Sequence, residues 1–162
     1  MNWTEQNIAR AIARQTLKNK CVVLLENCNW TGHECDVLGV TLNLRIIDIE
    51  VKISRADLKA DAKKDKWWQR DMHPPKVWKH YYAMPADIWK PDLLECLPSA
   101  ASGVLLMRWQ ADGVAVASVE RHAKPAKDAT RLRPEEVMDI ARLANLRMWE
   151  SYKKLESMER LP

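Results

Sequence analysis

The sequence predicts one α/β domain, a mixed β-sheet flanked by helices and closed by a long C-terminal helix. Three observations carry that expectation. Six short apolar runs with strand-like character are separated by turn residues. Helical periodicity occurs before the first run, after the third and after the last. At 162 residues the chain has room for one ordinary domain and hardly for two. The resulting order, α-β-β-β-α-β-β-β-α, is that of a sheet with helices packed on it. Folding at this length buries roughly 70% of the surface the unfolded chain exposes. With 47% hydrophobic and 30% charged residues, a disordered, collagenous or fibrous chain is excluded.

The elements follow in order. Residues 4–19 read as a helix: Thr4 is the N-cap, Glu5 suits the positive first turn, and Ile8, Ala9, Ile12, Ala13 and Leu17 form an apolar stripe. Residues 21–26 read as a strand, and the turn residues 27–32, ending in Gly32, lead to a second strand over 35–41. A third strand runs from Arg45 to Lys52, and a short basic helix follows over 55–66. Trp67 and Trp68 read as core or loop anchors, with stacking on an unpaired base as the functional alternative. The Pro74-Pro75 pair ends regular structure there. Residues 79–84 form a fourth strand, and residues 86–102, with Pro91 and Pro98, form a loop with one helical turn. A hairpin over 103–119 has Asp112-Gly113 as its hinge. Pro134 opens the last helix, to about residue 157, with Val137, Ile140, Ala141, Ala144, Met148 and Tyr152 or Leu155 on its buried side. The core therefore spans about residues 4–119.

No run approaches the roughly 18 apolar residues of a membrane span. The start, Met1-Asn2-Trp3-Thr4-Glu5, has no basic stretch followed by an apolar one, so a soluble, cytoplasmic protein is expected. In that compartment Cys21, Cys28, Cys35 and Cys96 read as reduced thiols. A zinc site from Cys28, His33, Cys35 and a distant fourth ligand can be drawn, although its spacing matches no familiar pattern. The net charge of +4 is unevenly placed. Its excess lies in residues 52–80 and 120–133, two basic stretches suited to a polyanion such as DNA.

The third strand carries the chemistry. Alternation sends Ile47, Ile49 and Val51 to one face and Ile46, Asp48, Glu50 and Lys52 to the other. Charges on a central strand are costly to bury without a purpose. Glu50 and Lys52 have Cα atoms about 7 Å apart, so both side chains can converge on one reacting centre. Asp36, early in the neighbouring strand, can add a second carboxylate. Two hard oxygen ligands suit Mg²⁺ or Mn²⁺ with several waters retained. Such an ion would polarise a phosphoryl oxygen and acidify a water. The lysine could orient that water, help deprotonate it, or offset charge developing on phosphorus. Glu5 is a further carboxylate for this site, and Glu26 is its rival.

Cys35-Asp36 followed by Ile49-Glu50-Val51-Lys52 resembles the D…(D/E)-x-K signature of the PD-(D/E)XK nuclease superfamily. The continuation Ile53-Ser54-Arg55-Ala56-Asp57-Leu58-Lys59-Ala60-Asp61 is similar to the "EIKxSRADxxxDxKW" run of MmcB-like DNA repair proteins. His80-Tyr81-Tyr82-Ala83-Met84-Pro85 resembles their "fyfAvP" segment. The similarity covers roughly residues 33–109. Residues 63–79 run longer than the family pattern, and Cys35 stands where alanine is usual. The resemblance implies a restriction-endonuclease-like fold and a metal-dependent deoxyribonuclease acting in DNA repair or phage-type DNA processing. It implies metal ligation by Asp36, Glu50 and the Val51 carbonyl, a catalytic role for Lys52, and a 5′-phosphate product. A homodimer is compatible with it, because many such small nucleases pair to cut two strands.

Ser54, Arg55, Lys59, Lys63 and Lys64 form the expected DNA-binding set, since positions 55, 59 and 63 repeat at helical spacing. The competing reading is a solvated helix balanced by Asp57, Asp61 and Asp65. Two other classes of function stand beside the enzyme. One is a non-catalytic nucleic-acid-binding or inhibitory protein that keeps the fold. The other is an interaction module that docks a partner on the apolar residues of the last helix, Met138, Met148 and Trp149.

Overall fold

The computed structural model describes residues 2–61, 63 and 76–159. Six strands form one mixed sheet in sequence order: β1 (Cys21–Cys28), β2 (Cys35–Thr41), β3 (Ile46–Val51), β4 (Val77–Pro85), β5 (Gly103–Trp109) and β6 (Ala115–Arg121). The β1–β2, β2–β3 and β5–β6 pairs are antiparallel, while β3–β4 and β4–β5 are parallel. Helices α1 (Glu5–Ala11), α2 (Arg55–Asp61) and α3 (Pro134–Glu159) flank it. The expected mixed sheet with a long C-terminal helix is present. Among the described residues, no helix is long and apolar enough to cross a membrane.

Thr4 caps α1 through a capping box in which its side chain accepts from the Asn7 N–H and the Asn7 side chain accepts from the Thr4 N–H. The expected continuous α-helix to residue 19 is corrected. It ends at Ala11 and widens into a π-helical stretch, Ile12–Leu17, whose two buried ends are five residues apart. A π turn closes on i+5, so the wider turn can aim both at the sheet. Leu44 in the β2–β3 turn has φ 56°. That strained conformation is held by tertiary contacts: the Leu44 carbonyl accepts from the Leu132 N–H at 2.8 Å, and its side chain packs against the core under α3. At the expected Asp112-Gly113 hinge, Gly113 has φ 79° and Asp112 Oδ1 accepts from the Val114 N–H.

The core lies on both faces of the sheet. On one, Ile8, Ile12 and Leu17 pack on Val37, Ile47, Ile49, Val51, Leu105 and Met107. On the other, Leu38, Val40, Ile46 and Val77 meet Leu132 and Ile140 at the base of α3. Leu58 of α2 packs there with Tyr82, Met84, Val104 and Leu106. Helix α2 is described over Arg55–Asp61, and the expected stretch onward to residue 66 lies, apart from Lys63, outside the described residues. Lys64, Asp65, Trp67, Trp68, His73, Pro74 and Pro75 lie outside the described residues. In α3, Ile140 is buried and Val137, Ala141 and Ala144 are half-buried, as expected of the inner side. Met148, Tyr152 and Leu155 are exposed instead, as is every residue from 145 to 158.

Candidate functional site

Every residue of β3 is buried. Ile46 belongs to the apolar face under α3, but the next residues on that face, Asp48, Glu50 and, just past the strand, Lys52, are charged and only 0%, 4% and 3% exposed. The parallel register sets His80 and Tyr82 of β4 beside Asp48 and Glu50. A buried polar row therefore crosses the centre of the sheet, where unpartnered charge is strongly disfavoured.

The β2–β3 ladder ends at Val37–Ile49. Beyond it, Asp36 Oδ2 accepts from the Val51 N–H at 2.6 Å, so a side-chain carboxylate takes a backbone donor and Asp36 is pinned beside the end of β3. Asp36, Glu50, Val51 and Lys52 line one cleft of about 310 Å³, together with Glu5, Glu34 and Asp57. Glu5 comes from the first turn of α1 and Asp57 from that of α2. The five residues expected at a metal-dependent site thus meet at one place. Glu26 lines a separate groove between α1, β1 and α3, where its carbonyl accepts from Arg147. The choice left open between Glu5 and Glu26 falls to Glu5.

Lys52 Nζ lies 3.4 Å from Glu50 Oε2 and 3.1 Å from Asp61 Oδ1. Tyr82 donates its hydroxyl to Asp61 Oδ2 at 2.8 Å. Burial pulls the Lys52 ammonium down, but the carboxylates of Glu50, Asp61 and Asp57 outweigh it and hold the group above the ordinary lysine value. Burial, reinforced by Asp61, pushes the Tyr82 phenol far upward, so Tyr82 remains a donor.

The expected DNA-binding residues lie on or beside α2. Ser54 Oγ accepts from the Asp57 N–H and caps the helix. Arg55 Nε donates to the Ile88 carbonyl at 2.5 Å, which ties α2 to the loop after β4. Lys59 and Lys63 are exposed.

The sequence reading missed the place of four residues in the site. Asp57 and Asp61 entered only the competing reading, as surface partners of lysines, yet Asp57 lines the cleft and Asp61 is fully buried against Lys52. Their signal was the i, i+4 spacing beside the inward Leu58. Glu34 had no signal beyond lying two residues before Asp36. Asp48 was on the charged face, but nothing local announced its partner: His33 Nε2 contacts Asp48 Oδ2 at 2.8 Å. Behind this row, His80 Nδ1 and Ser102 Oγ share a 2.8 Å hydrogen bond.

A solved structure described as "SPO1766 protein of unknown function from Silicibacter pomeroyi" is similar to this chain, with a TM-score of 0.63 and 23% identity. The match covers 100% of this chain and 98% of that one. At this identity the likeness speaks for the fold alone. No family model matches the chain, and no curated protein matches it.

Proposed function

We propose that this protein is a metal-dependent deoxyribonuclease of the PD-(D/E)XK type, hydrolysing phosphodiesters in DNA repair or phage-type DNA processing. The observation that carries the reading is the convergence of Asp36, Glu50, the Val51 backbone and Lys52 on one cleft, with Lys52 held as an ammonium between Glu50 and Asp61.

The donor set fits a hard divalent cation. Among the described residues the cleft is lined by five carboxylate residues and one lysine, and such a surface repels a phosphodiester unless a cation is present. Asp36, Glu50 and the Val51 carbonyl would hold Mg²⁺ or Mn²⁺, with water completing the shell. When bound, the ion supplies Lewis-acid polarisation of a phosphoryl oxygen and a more acidic water. The side chains supply the rest. Asp36 is oriented by the Val51 N–H, and Glu50 by the Lys52 ammonium. Because its carboxylate neighbours keep Lys52 protonated, its role is to offset charge developing on phosphorus and not to accept a proton. Exposed Lys59 and Lys63 offer the DNA backbone a cationic approach along α2.

The test is incubation of labelled duplex, single-stranded, nicked and branched DNA with Mn²⁺ or Mg²⁺, and separately with chelator. Cleavage should require the metal, and Glu50→Ala and Lys52→Ala should each lower it by about 100-fold or more. No cleavage of any substrate overturns the enzymatic reading. If salt-sensitive DNA binding then persists without divalent-ion affinity, the protein is a non-catalytic nucleic-acid-binding or inhibitory one.

A further inference from the structure

We infer that His33, Cys35 and Asp48 form a second metal site, which takes a zinc-class ion and adjoins the oxygen-lined cleft, since the Asp48 and Glu50 carboxylates come within 4.8 Å of each other. The donor chemistry differs from that of the cleft. Imidazole, thiolate and carboxylate together suit a borderline-soft ion, whereas Mg²⁺ and Ca²⁺ take oxygen. One donor atom from each residue lies within 4.8 Å of the others. Asp48 Oδ2 is 2.8 Å and Cys35 Sγ 3.9 Å from His33 Nε2. Tetrahedral zinc at ordinary bond lengths sets such donors roughly 3.3–3.7 Å apart, so the two His33 distances need shifts of about half an ångström or less.

A separate observation points to a ligand. Asp48 is 0% exposed, and its Oδ1 has no hydrogen-bond partner among the described residues. A buried carboxylate with an unmet oxygen calls for positive charge. The surroundings also orient the donors. Thr31 Oγ1 lies 3.3 Å from His33 Nδ1 and 3.4 Å from Cys35 Sγ, so the hydroxyl can hold the ring with Nε2 turned to Asp48. The His33 side chain, 12% exposed, is the most open of the three donors and gives the ion an entry path, and a water would complete its four ligands. Cys28, drawn into such a site from sequence, is engaged elsewhere, its sulfur accepting from the Trp30 N–H.

The position gives the ion a purpose. Cys35 precedes Asp36, and Asp48 stands two residues before Glu50, so a bound ion would fasten the start of β2 to β3 and steady both cleft carboxylates. The inference does not depend on the proposed nuclease activity.

The experiment titrates the metal-free, reduced, full-length protein with Co²⁺ under anaerobic conditions and then with Zn²⁺. One equivalent of Co²⁺ should give intense visible bands of a four-coordinate ion and a thiolate-to-cobalt charge-transfer band, both abolished by Zn²⁺. Cys35→Ser should remove the charge-transfer band, and His33→Ala should weaken binding by at least about tenfold. Cys28→Ser should leave the spectrum unchanged. The partly exposed His33 provides a variant whose folding circular dichroism can verify even if Cys35→Ser folds poorly. Absence of the thiolate band, its survival in Cys35→Ser, or undiminished affinity in folded His33→Ala overturns the site. Glu50→Ala separates the two readings: it should remove Mn²⁺ affinity from the cleft and leave the cobalt–thiolate band in place.

Discussion

Lys52 shows how a single residue can be legible in sequence while its state is not. The E-x-K spacing identified it as facing the same way as Glu50, because a strand repeats every two residues. Its protonation depends on Glu50 and then on Asp61, which lies on another element and itself receives the Tyr82 hydroxyl. The pKa of Lys52 is raised, so the folded state holds this proton more tightly than the unfolded chain does. The resulting stabilisation is complete below the unfolded value near 10.4 and is lost only as pH rises through the higher folded value. An NMR titration of the lysine ¹³Cε signals should therefore show Lys52 titrating above the exposed lysines. In Asp61→Asn its midpoint should fall towards theirs. A midpoint in wild type below the ordinary lysine value would show that burial dominates and would remove the charge-offsetting role proposed for Lys52.

At the scale of elements, periodicity located the strands to within a few residues but misjudged α3. Its apolar stripe is continuous in sequence, yet only the first half is covered. A helix of 26 residues is about 39 Å long, while the eight-residue strand β1 on which it packs is about 27 Å. The helix is longer than its support, and beyond the Arg147 contact to β1 its apolar residues face a groove or solvent, with Met148, Trp149, Tyr152 and Leu155 at 44–62% exposure. Two substitutions should separate the halves. Ile140→Ala empties a fully buried position and should cost about 2–5 kcal/mol. Trp149→Ala should stay within about 0.5 kcal/mol. Urea unfolding of both variants checks this, and equal losses would mean that the distal turns are packed in solution.

For the whole molecule, the order of the strands decides what must be buried. An antiparallel meander on one side and a hairpin on the other enclose two parallel junctions, so β3 and β4 are covered on both faces and both edges. That is why a charged row on β3 has to be paired, and why the sheet tolerates little added volume near the β4–β5 junction. At Gly103, a Cβ would lie 2.3 Å from the Tyr81 ring and 2.7 Å from the backbone nitrogen of Ala123. At Gly39 the nearest atom is the movable sulfur of Cys21. Gly103→Ala should cost about 1–3 kcal/mol through forced displacement of β4 or of the chain after β6. A thermal midpoint unchanged from wild type would show that the sheet can open there.

Sequence by itself determined the order of the elements, the turns at Gly32 and Gly113, and the spacing that sets Asp36 on one strand and Glu50 and Lys52 on and just past the next. These features follow from backbone geometry and local dihedral preference, which act over a few residues. Only the tertiary structure decided that Glu5 and not Glu26 reaches the cleft, that Asp61 supports Lys52, and that His33 and Cys35 meet Asp48. The exposure of the distal half of α3 was decided there too. Each of these depends on how separate elements pack, and short-range periodicity carries no record of the distance between them.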